Sequence, residues 1–315
     1  MTLTELKYIV AVAREKHFGH AAEACFVAQP TLSVAIKKLE DELGVTIFER
    51  GGTEISMTPL GAQIVAQAER VLEQTAAIKE IAKQNKDPLA GPLRLGVIYT
   101  VAPYLLPPLV KTMIERVPQM PLVLQENFTV RLIELLRQGE LDAAIMALPF
   151  SDQGLVVQPL YDEPFVVALP RHHPWADRPA IRAEDLKSET MLLLGNGHCF
   201  RDQVLEVCPE MSRFSTTGDG IARTFEGSSL ETIRHMVASG IGITVLPKAS
   251  VPDMQARDGM LRYVPFAQPG PSRRIVIAWR KSFTRRPAIE AVRDAVLSCD
   301  LHGVTMLREE ETAEA

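Results

Sequence analysis

The sequence predicts an α/β protein with a small helical N-terminal domain, a long helix, and a larger domain in which strands and helices alternate. Three observations predict this fold class. Apolar residues recur at helical spacing up to about residue 57, an apolar seven-residue repeat follows, and from residue 93 short apolar runs alternate with amphipathic segments. We therefore predict domains over residues 1–58, 59–87 and 88–315.

The composition is that of a globular protein. The chain has 315 residues, of which 46% are hydrophobic and 23% charged, enough for at least two cores. Its N-terminus lacks the features of a secretory signal and no apolar run could span a bilayer, so we expect a cytoplasmic protein. The net charge of −5 argues against a broadly basic surface, and any nucleic-acid binding must therefore be local.

The N-terminal domain carries a helix-turn-helix pattern. A small, apolar helical segment at 18–25 is followed by a turn, and Pro30 suits the first turn of a longer helix that ends at Gly44. One side of that helix is apolar and the opposite side is polar and basic. Segments 45–48 and 55–57 are expected to pair as a two-stranded wing. A second helix of this kind fits a DNA major groove, so the pattern predicts binding to double-stranded DNA.

The next helix is predicted to begin after Thr58, a suitable N-cap residue, and to run to about residue 86. Apolar or small residues occupy its seam positions, which are Ile64, Ala68, Val71, Thr75, Ile78 and Ala82. A seam of this spacing pairs two chains in a coiled coil. A helix packed into the core of its own chain is the alternative.

From residue 93 the alternation predicts parallel sheets with helices on both faces. The predicted strands are 93–99, 122–125, 141–147, 165–169, 191–194, 241–246 and 275–279, and the predicted helices are 102–116, 130–139 and 228–239. Ligands of such folds bind at the carboxyl ends of the strands.

Two cysteines, Cys199 and Cys208, lie nine positions apart behind a glycine-rich turn. The pattern places Cys199 in the first turn of a short helix, where the helix dipole, His198 and Arg201 favour a thiolate. Cys208 is predicted to be buried. A continuous helix would hold the two Cα atoms about 13 Å apart, whereas a disulfide needs about 4.4–6.8 Å. Either the pair never bonds and both are ordinary buried cysteines, or bonding requires the helix to refold.

Several motifs resemble LysR-type transcriptional regulators. Ala21-Ala22-Glu23, Gln29-Pro30-Thr31-Leu32-Ser33 and Thr58-Pro59-Leu60-Gly61 resemble the family's DNA-binding domain. The resemblance implies base or sugar contacts from Gln29, Pro30, Thr31 and Ser33, with Lys37 and Arg50 on phosphates. Ala28 departs from the serine that usually caps this helix. Residues 1–60 hold six basic against eight acidic residues, a net charge of −2, so tight binding would need several domains together.

Ser229-Leu230-Glu231-Thr232 and the segment 240–247 resemble the effector domain of the same family. That resemblance implies the two-lobed fold of periplasmic binding proteins. The chain would then form one lobe from about 92–162 plus 269–300 and the other from 163–268, with a ligand site between the lobes.

Within the family, Gly197-His198-Cys199, Arg201-Asp202-Gln203 and Cys208 resemble the members that sense hydrogen peroxide. By this resemblance, peroxide oxidises Cys199 to a sulfenic acid, Cys208 condenses with it, and altered DNA binding activates antioxidant genes. Thr100, Thr129 and His198 would orient the peroxide, with Arg273 as a charge partner from the loop before the last strand. Promoter DNA, RNA polymerase and a homotetramer built from two dimers are implied, with neither cofactor nor metal.

Each pocket residue also has a simpler interpretation. Thr100 and Thr129 would cap the helices that follow them, His198 would be a turn residue, and Arg273 a surface cation. Two other functions stay open: a regulator that binds a small organic effector between its lobes, and a thiol peroxidase with an appended DNA-binding domain. Cys25 and Cys299 fit no motif and are expected to be structural, and no cysteine or histidine spacing indicates zinc.

Overall fold

The computed structural model describes residues 1–49, 55–83, 87–208, 224–227, 229–251 and 259–307. The chain divides into two compact units, the first built mainly from residues 1–85 and the second from most of the remainder. Within the described ranges no helix has both the length and the apolar character that a membrane crossing requires.

The N-terminal unit is a winged helix-turn-helix. Thr2 and Glu5 form a capping box at the first helix, and Gly44, at φ 68°, ends the third helix at the predicted residue. The pairing of Phe48 with Met57 makes the predicted wing, although its strands have only two residues each. The elements are α1 (Leu3–Glu15), α2 (Phe18–Ala24), α3 (Gln29–Leu43), β1 (Phe48–Glu49), β2 (Ser56–Met57) and α4 (Pro59–Lys83).

Glu40, in the last turn of α3, joins that helix to the wing. Its carboxylate is buried and accepts hydrogen bonds from the amides of Ile47, at 2.7 Å, and Phe48, at 3.2 Å. Burial of a carboxylate is costly unless it accepts hydrogen bonds. The two amide donors must therefore stay beside Glu40, which fixes the start of the wing relative to α3.

We expect Glu40→Ala to destabilise the N-terminal unit by about 3 kcal/mol, because it leaves two buried amides without an acceptor. Glu40→Gln keeps one acceptor oxygen and should cost roughly 1 kcal/mol. Hydrogen exchange at the amides of Ile47 and Phe48 measures this effect. Equal protection in the wild type and Glu40→Ala would show that the carboxylate does not hold the wing.

The long helix α4 begins as predicted, with the Thr58 hydroxyl accepting the amide of Gly61 at 2.8 Å. Its first half packs into the core of its own unit, where Val65 and Ala68 are buried and Ile64 and Val71 lie against them. At those positions the predicted seam packs within its own chain. Ile78, farther along, has 66% of its surface exposed. The prediction that α4 pairs two chains therefore applies to the second half of the helix.

The second unit contains the alternating segments. Its elements are β3 (Leu93–Ile98), α5 (Ala102–Arg116), β4 (Leu122–Asn127), α6 (Thr129–Gln138), β5 (Ala143–Ala147), β6 (Leu155–Pro170), β7 (Met191–Leu194), α7 (Cys199–Val207), β8 (Thr224–Gly227), α8 (Leu230–Ala238), β9 (Thr244–Pro247), β10 (Leu261–Pro265), β11 (Ser272–Arg280), α9 (Arg286–Leu297) and β12 (Thr305–Met306). Short 3₁₀ turns cover Ala183–Ser188 and Lys248–Ser250.

The prediction of purely parallel sheets is partly wrong. Strand β3 pairs in parallel with β4 and β5, and β7 pairs in parallel with β8. The long strand β6, however, pairs antiparallel with β11 over its first half and with β9 and β10 over its second half. The chain crosses from one lobe to the other along β6 and comes back along β10 and β11. Strands that run in opposite directions pair antiparallel. The result is the two-lobed fold that the resemblance implied.

Candidate functional site

Cys199 and Cys208 lie at opposite ends of α7. Cys199 is the first residue of this helix and His198 is its N-cap residue. Gly197 has φ +95°, a backbone conformation that favours glycine, and a Cβ there would also make a tight 3.3 Å contact with the Phe128 ring. The predicted turn and the predicted short helix are thus confirmed.

The helix keeps the two sulfur atoms apart. Cys199 is half-buried, and Cys208, immediately after the helix, is buried with 4% of its surface exposed, as predicted. Each of the four cysteines is a thiol. At about 1.5 Å per residue the intact helix separates the Cα atoms by about 13 Å, beyond the reach of a disulfide. Bond formation would therefore require α7 to unwind.

A small cavity of about 10 Å³, roughly the space that one water molecule needs, lies against Cys199. It gathers side chains from the ends of two parallel strands and from the start of α7, which the topology brings to one edge. Its lining is Ile98, Tyr99, Thr100, Asn127, Phe128, Thr129, Gly197, His198 and Cys199. Thr100, Thr129 and His198, named from the sequence, thus share one cavity with the cysteine.

Thr129 contributes a buried hydroxyl to this cavity. It is the first residue of α6, is 8% exposed, and its Oγ1 has no hydrogen-bond partner among the residues that the structure describes. Its interpretation as a helix cap is therefore wrong. A buried hydroxyl without a partner costs roughly 1–3 kcal/mol, and a ligand in the cavity would remove that cost.

Thr100 is held by Arg273. Arg273 donates from Nη1 to the Thr100 hydroxyl at 2.8 Å and from Nη2 to the Thr100 carbonyl at 3.1 Å. Thr100 does not cap α5, because Val101 is the N-cap residue. Arg273 is only 3% exposed, so the surface-cation interpretation is wrong. It also lies within β11 and not in the loop before the last strand.

The charge of Arg273 is paired with a residue that the sequence analysis did not identify. Nε of Arg273 donates to Oε2 of Glu163 at 2.7 Å, and both side chains are buried, 0% and 2% exposed. The guanidinium carbon lies 4.9 Å from the centre of the Phe200 ring. In the sequence, Glu163 stands beside Asp162 at the predicted boundary between the lobes, which does not indicate a partner for it.

His198 is buried among aromatic rings. Its ring centre lies 4.8 Å from that of Phe128 and 5.9 Å from that of Tyr99, both edge-on. Gln203, also on α7, donates from Nε2 to the Leu148 carbonyl at 2.8 Å. Helix α7 is thereby bonded to Leu148, at the end of β5, a contact that the sequence did not indicate.

A larger cavity of about 270 Å³ adjoins the first and shares Tyr99, Thr100, Phe128 and His198 with it. At its far end the Tyr104 hydroxyl donates to Glu231 Oε1 at 2.9 Å, and burial raises the pKa of that phenol. Desolvation also raises the pKa of the Cys25 and Cys299 thiols, which lie elsewhere. Among the described residues no cluster of histidine, cysteine or carboxylate side chains suits a metal ion.

The predicted DNA-contact residues lie on α3. Gln29, Pro30, Thr31 and Lys37 are exposed and Ser33 is half-buried, while Arg50 lies outside the described residues. Lys37 pairs with Asp41 at 3.0 Å across one helical turn, with both side chains more than 60% exposed. Such a pair contributes only about 0.3–0.5 kcal/mol and does not prevent a phosphate contact. Ala28, the N-cap residue, makes no side-chain cap bond.

Comparison with known proteins places the chain in a family. Residues 3–62 match the family "Bacterial regulatory helix-turn-helix protein, lysR family", and residues 86–298 match "LysR substrate binding domain". The chain is 40% identical to the DNA-binding transcriptional dual regulator OxyR of Escherichia coli over 296 residues, which are 94% of this chain and 95% of that protein.

Solved structures of OxyR are similar over most of the chain. A full-length OxyR from Pseudomonas aeruginosa is 51% identical, covers 98% of both chains and has a TM-score of 0.70. A hydrogen peroxide-bound mutant OxyR from Corynebacterium glutamicum is 33% identical, covers 94% of this chain and 91% of its own, and has a TM-score of 0.61. The relatives are transcriptional regulators, which argues against the thiol-peroxidase alternative. The chain belongs to the LysR family of DNA-binding transcriptional regulators.

Proposed function

We propose that this regulator senses hydrogen peroxide through Cys199 and Cys208 and converts their oxidation into a change of DNA binding that activates antioxidant genes. The observation that carries the proposal is the cavity at Cys199, which is lined by Thr129, a residue whose buried hydroxyl has no hydrogen-bond partner among the described residues. A small polar molecule there meets a sulfur atom and hydroxyl groups together. The similarity to OxyR proteins, one of them solved with hydrogen peroxide bound, supports the same ligand.

The chemistry proceeds in two steps. The Cys199 thiolate attacks one peroxide oxygen, so an S–O bond forms, the O–O bond breaks, the sulfur loses two electrons, and the second oxygen leaves as hydroxide. The Cys208 thiol then attacks the sulfenic sulfur, which forms the disulfide and releases water. Thr100, Thr129 and His198 are proposed to orient the peroxide beside the sulfur, since oriented reactants and stabilised leaving groups lower such barriers.

The second step gives the regulator its signal. Because the intact α7 holds the cysteines about 13 Å apart, the helix must unwind before the disulfide closes. Unwinding breaks the bond from Gln203 to the Leu148 carbonyl and removes Phe200 from Arg273. These contacts join α7 to β5 and to β11. Disulfide formation would therefore remove contacts between α7 and these two strands and change how the lobes pack against each other.

At the DNA end, we propose that Gln29, Pro30, Thr31 and Ser33 contact bases or sugars and that Lys37 and Arg50 contact phosphates. The net charge of −2 over residues 1–60 makes one domain a weak binder. A homotetramer of two dimers, paired through α4, would engage several domains at once and present the promoter to RNA polymerase.

Lys37→Ala should weaken DNA binding uniformly across sequences, because a phosphate contact carries no base information. The slope of log affinity against log salt should become shallower by about 0.9 for each bound copy. Fluorescence anisotropy over a salt series measures the slope. Lys38→Ala, one position along and near Glu5 of α1, is the matched control. Equal salt slopes for the two variants would show that Lys37 does not contact a phosphate.

The proposal is tested on the reduced, full-length protein by alkylation trapping before and after one equivalent of hydrogen peroxide. Mass measurement and peptide mapping should show a disulfide between Cys199 and Cys208 within seconds, and DNA binding of the same samples should differ. If both cysteines stay alkylatable, the peroxide switch is wrong while the DNA-binding assignment stands.

The larger cavity, of about 270 Å³, favours a second candidate, a regulator that responds to a small organic effector. It has room for a ligand larger than peroxide, beside Tyr104 and Glu231. Under that function a Cys199→Ser variant would keep its response, whereas the peroxide switch requires the response to disappear.

A further inference from the structure

The ion pair between Glu163 and Arg273 occupies a particular place in the fold. The two residues face each other in the pairing of β6 with β11, the strands that run between the lobes. The ion pair is buried, and the other Glu163 oxygen accepts the amide of Ala249 at 3.0 Å. A buried charge pair is stable only with this kind of full hydrogen bonding, which fixes the guanidinium in place.

The fixed guanidinium determines what Thr100 can do. A threonine hydroxyl has one hydrogen to donate and two lone pairs that accept. Arg273 Nη1 already donates to the Thr100 oxygen, and no acceptor for the Thr100 hydrogen occurs among the described residues. The hydrogen is therefore available to the cavity that Thr100 shares with Cys199. Because the accepted bond comes from a cation, it polarises the hydroxyl and makes it a better donor.

Resting on the proposed peroxide reaction, we infer that Glu163 is a positioning residue. It anchors Arg273 so that Arg273 orients the Thr100 hydroxyl as a donor to the leaving oxygen of the peroxide. That oxygen departs as hydroxide when the Cys199 sulfur forms its bond, and the developing negative charge is what the Thr100 donor stabilises. Glu163 itself touches neither the sulfur nor the peroxide.

Glu163→Gln tests the inference because an amide cannot satisfy both neighbours. If its oxygen accepts the Ala249 amide, its NH₂ group faces the Arg273 donor, and the guanidinium is displaced. The matched control is Asp162→Asn. Asp162 pairs with Arg274 at 2.8 Å in the adjacent position of the same two strands, but this pair is about one-third exposed.

Two reactions of Cys199 are compared in the reduced full-length protein: single-turnover oxidation by hydrogen peroxide, and alkylation by iodoacetamide, which has no leaving hydroxide at Thr100. We expect Glu163→Gln to slow the peroxide reaction about tenfold and to leave alkylation within about twofold. Asp162→Asn should change neither rate. In a Thr100→Val background, Glu163→Gln should have little further effect, because both act through one donor.

The inference is overturned if Glu163→Gln matches Asp162→Asn, if it slows both reactions equally, or if its effect persists in Thr100→Val. Thermal unfolding reports whether the variant folds. If Glu163→Gln does not fold, Arg273→Lys tests the inference instead. A lysine ammonium keeps the positive charge but lacks the planar guanidinium that donates to Glu163 and Thr100 together. The same selective loss is expected there, and equal slowing of both reactions overturns the inference. A wild type that does not react with peroxide would instead refute the proposed function.

Discussion

Cys208→Ser protein treated with one equivalent of hydrogen peroxide should gain the mass of one oxygen atom and stop there. The wild type should lose two hydrogen atoms, and Cys199→Ser should not change. The reason is the order of the two steps: Cys199 borders the cavity, whereas Cys208 is buried at the far end of α7. We therefore expect Cys199 to meet the peroxide first and Cys208 to remove the resulting sulfenic acid.

Mass spectrometry after trapping with dimedone, which reacts with sulfenic acids, distinguishes the three products. Cys299→Ser is the matched control because Cys299 is also buried but follows α9 and not α7, and it should behave as wild type. A dimedone adduct on Cys199→Ser, or a disulfide formed without Cys208, would reverse the assigned roles. DNA binding of oxidised Cys208→Ser should resemble the reduced wild type, because we expect the helix to unwind only when the disulfide forms.

Thr129→Val is expected to slow oxidation of Cys199 by about 10²-fold, the usual effect of removing one donor to a developing oxyanion. The same change should leave the stability of the second unit unchanged or raise it by about 1 kcal/mol, since valine has nearly the same shape and the lost hydroxyl had no partner. Opposite effects on rate and stability separate a functional hydroxyl from a structural one.

Stopped-flow or rapid-quench oxidation measures the rate, and thermal unfolding of the same samples measures the stability. The control is Thr112→Val on α5, whose hydroxyl donates to the Pro108 carbonyl and lies outside the cavity. It should lower stability slightly and leave the rate alone. A Thr129→Val protein that reacts at the wild-type rate would exclude this hydroxyl from peroxide binding.

Local patterns predicted those elements whose boundaries depend on nearby residues. Gly44 ends α3 because glycine adopts positive φ at no cost, and Thr58 starts α4 by accepting an amide three residues ahead. The turn at Gly197 and the helix that begins at Cys199 follow from the same local rules. Interactions within a few residues are encoded in the order of residues and need no knowledge of the rest of the fold.

The sequence did not predict which distant segments contact each other. The antiparallel pairing of β6 with β11 brings together residues about 110 positions apart, and short apolar runs do not state their partner or direction. The same limit applies to the seam of α4, where Val65 and Ala68 face the core of their own unit. Hydrophobic spacing indicates that a face is covered but not by which chain.

The sequence by itself determined the class of the protein and the chemical parts of its site: a helix-turn-helix, alternating strands and helices, and a cysteine at a helix start with a second nine residues on. Only the tertiary structure decided how those parts are used. In the folded protein Thr129 is buried with no hydrogen-bond partner among the described residues. Arg273 donates hydrogen bonds both to Thr100 and to Glu163. The physical reason is that the hydrogen-bond state of a buried polar group depends on neighbours from distant segments, and these meet only when the sheets form.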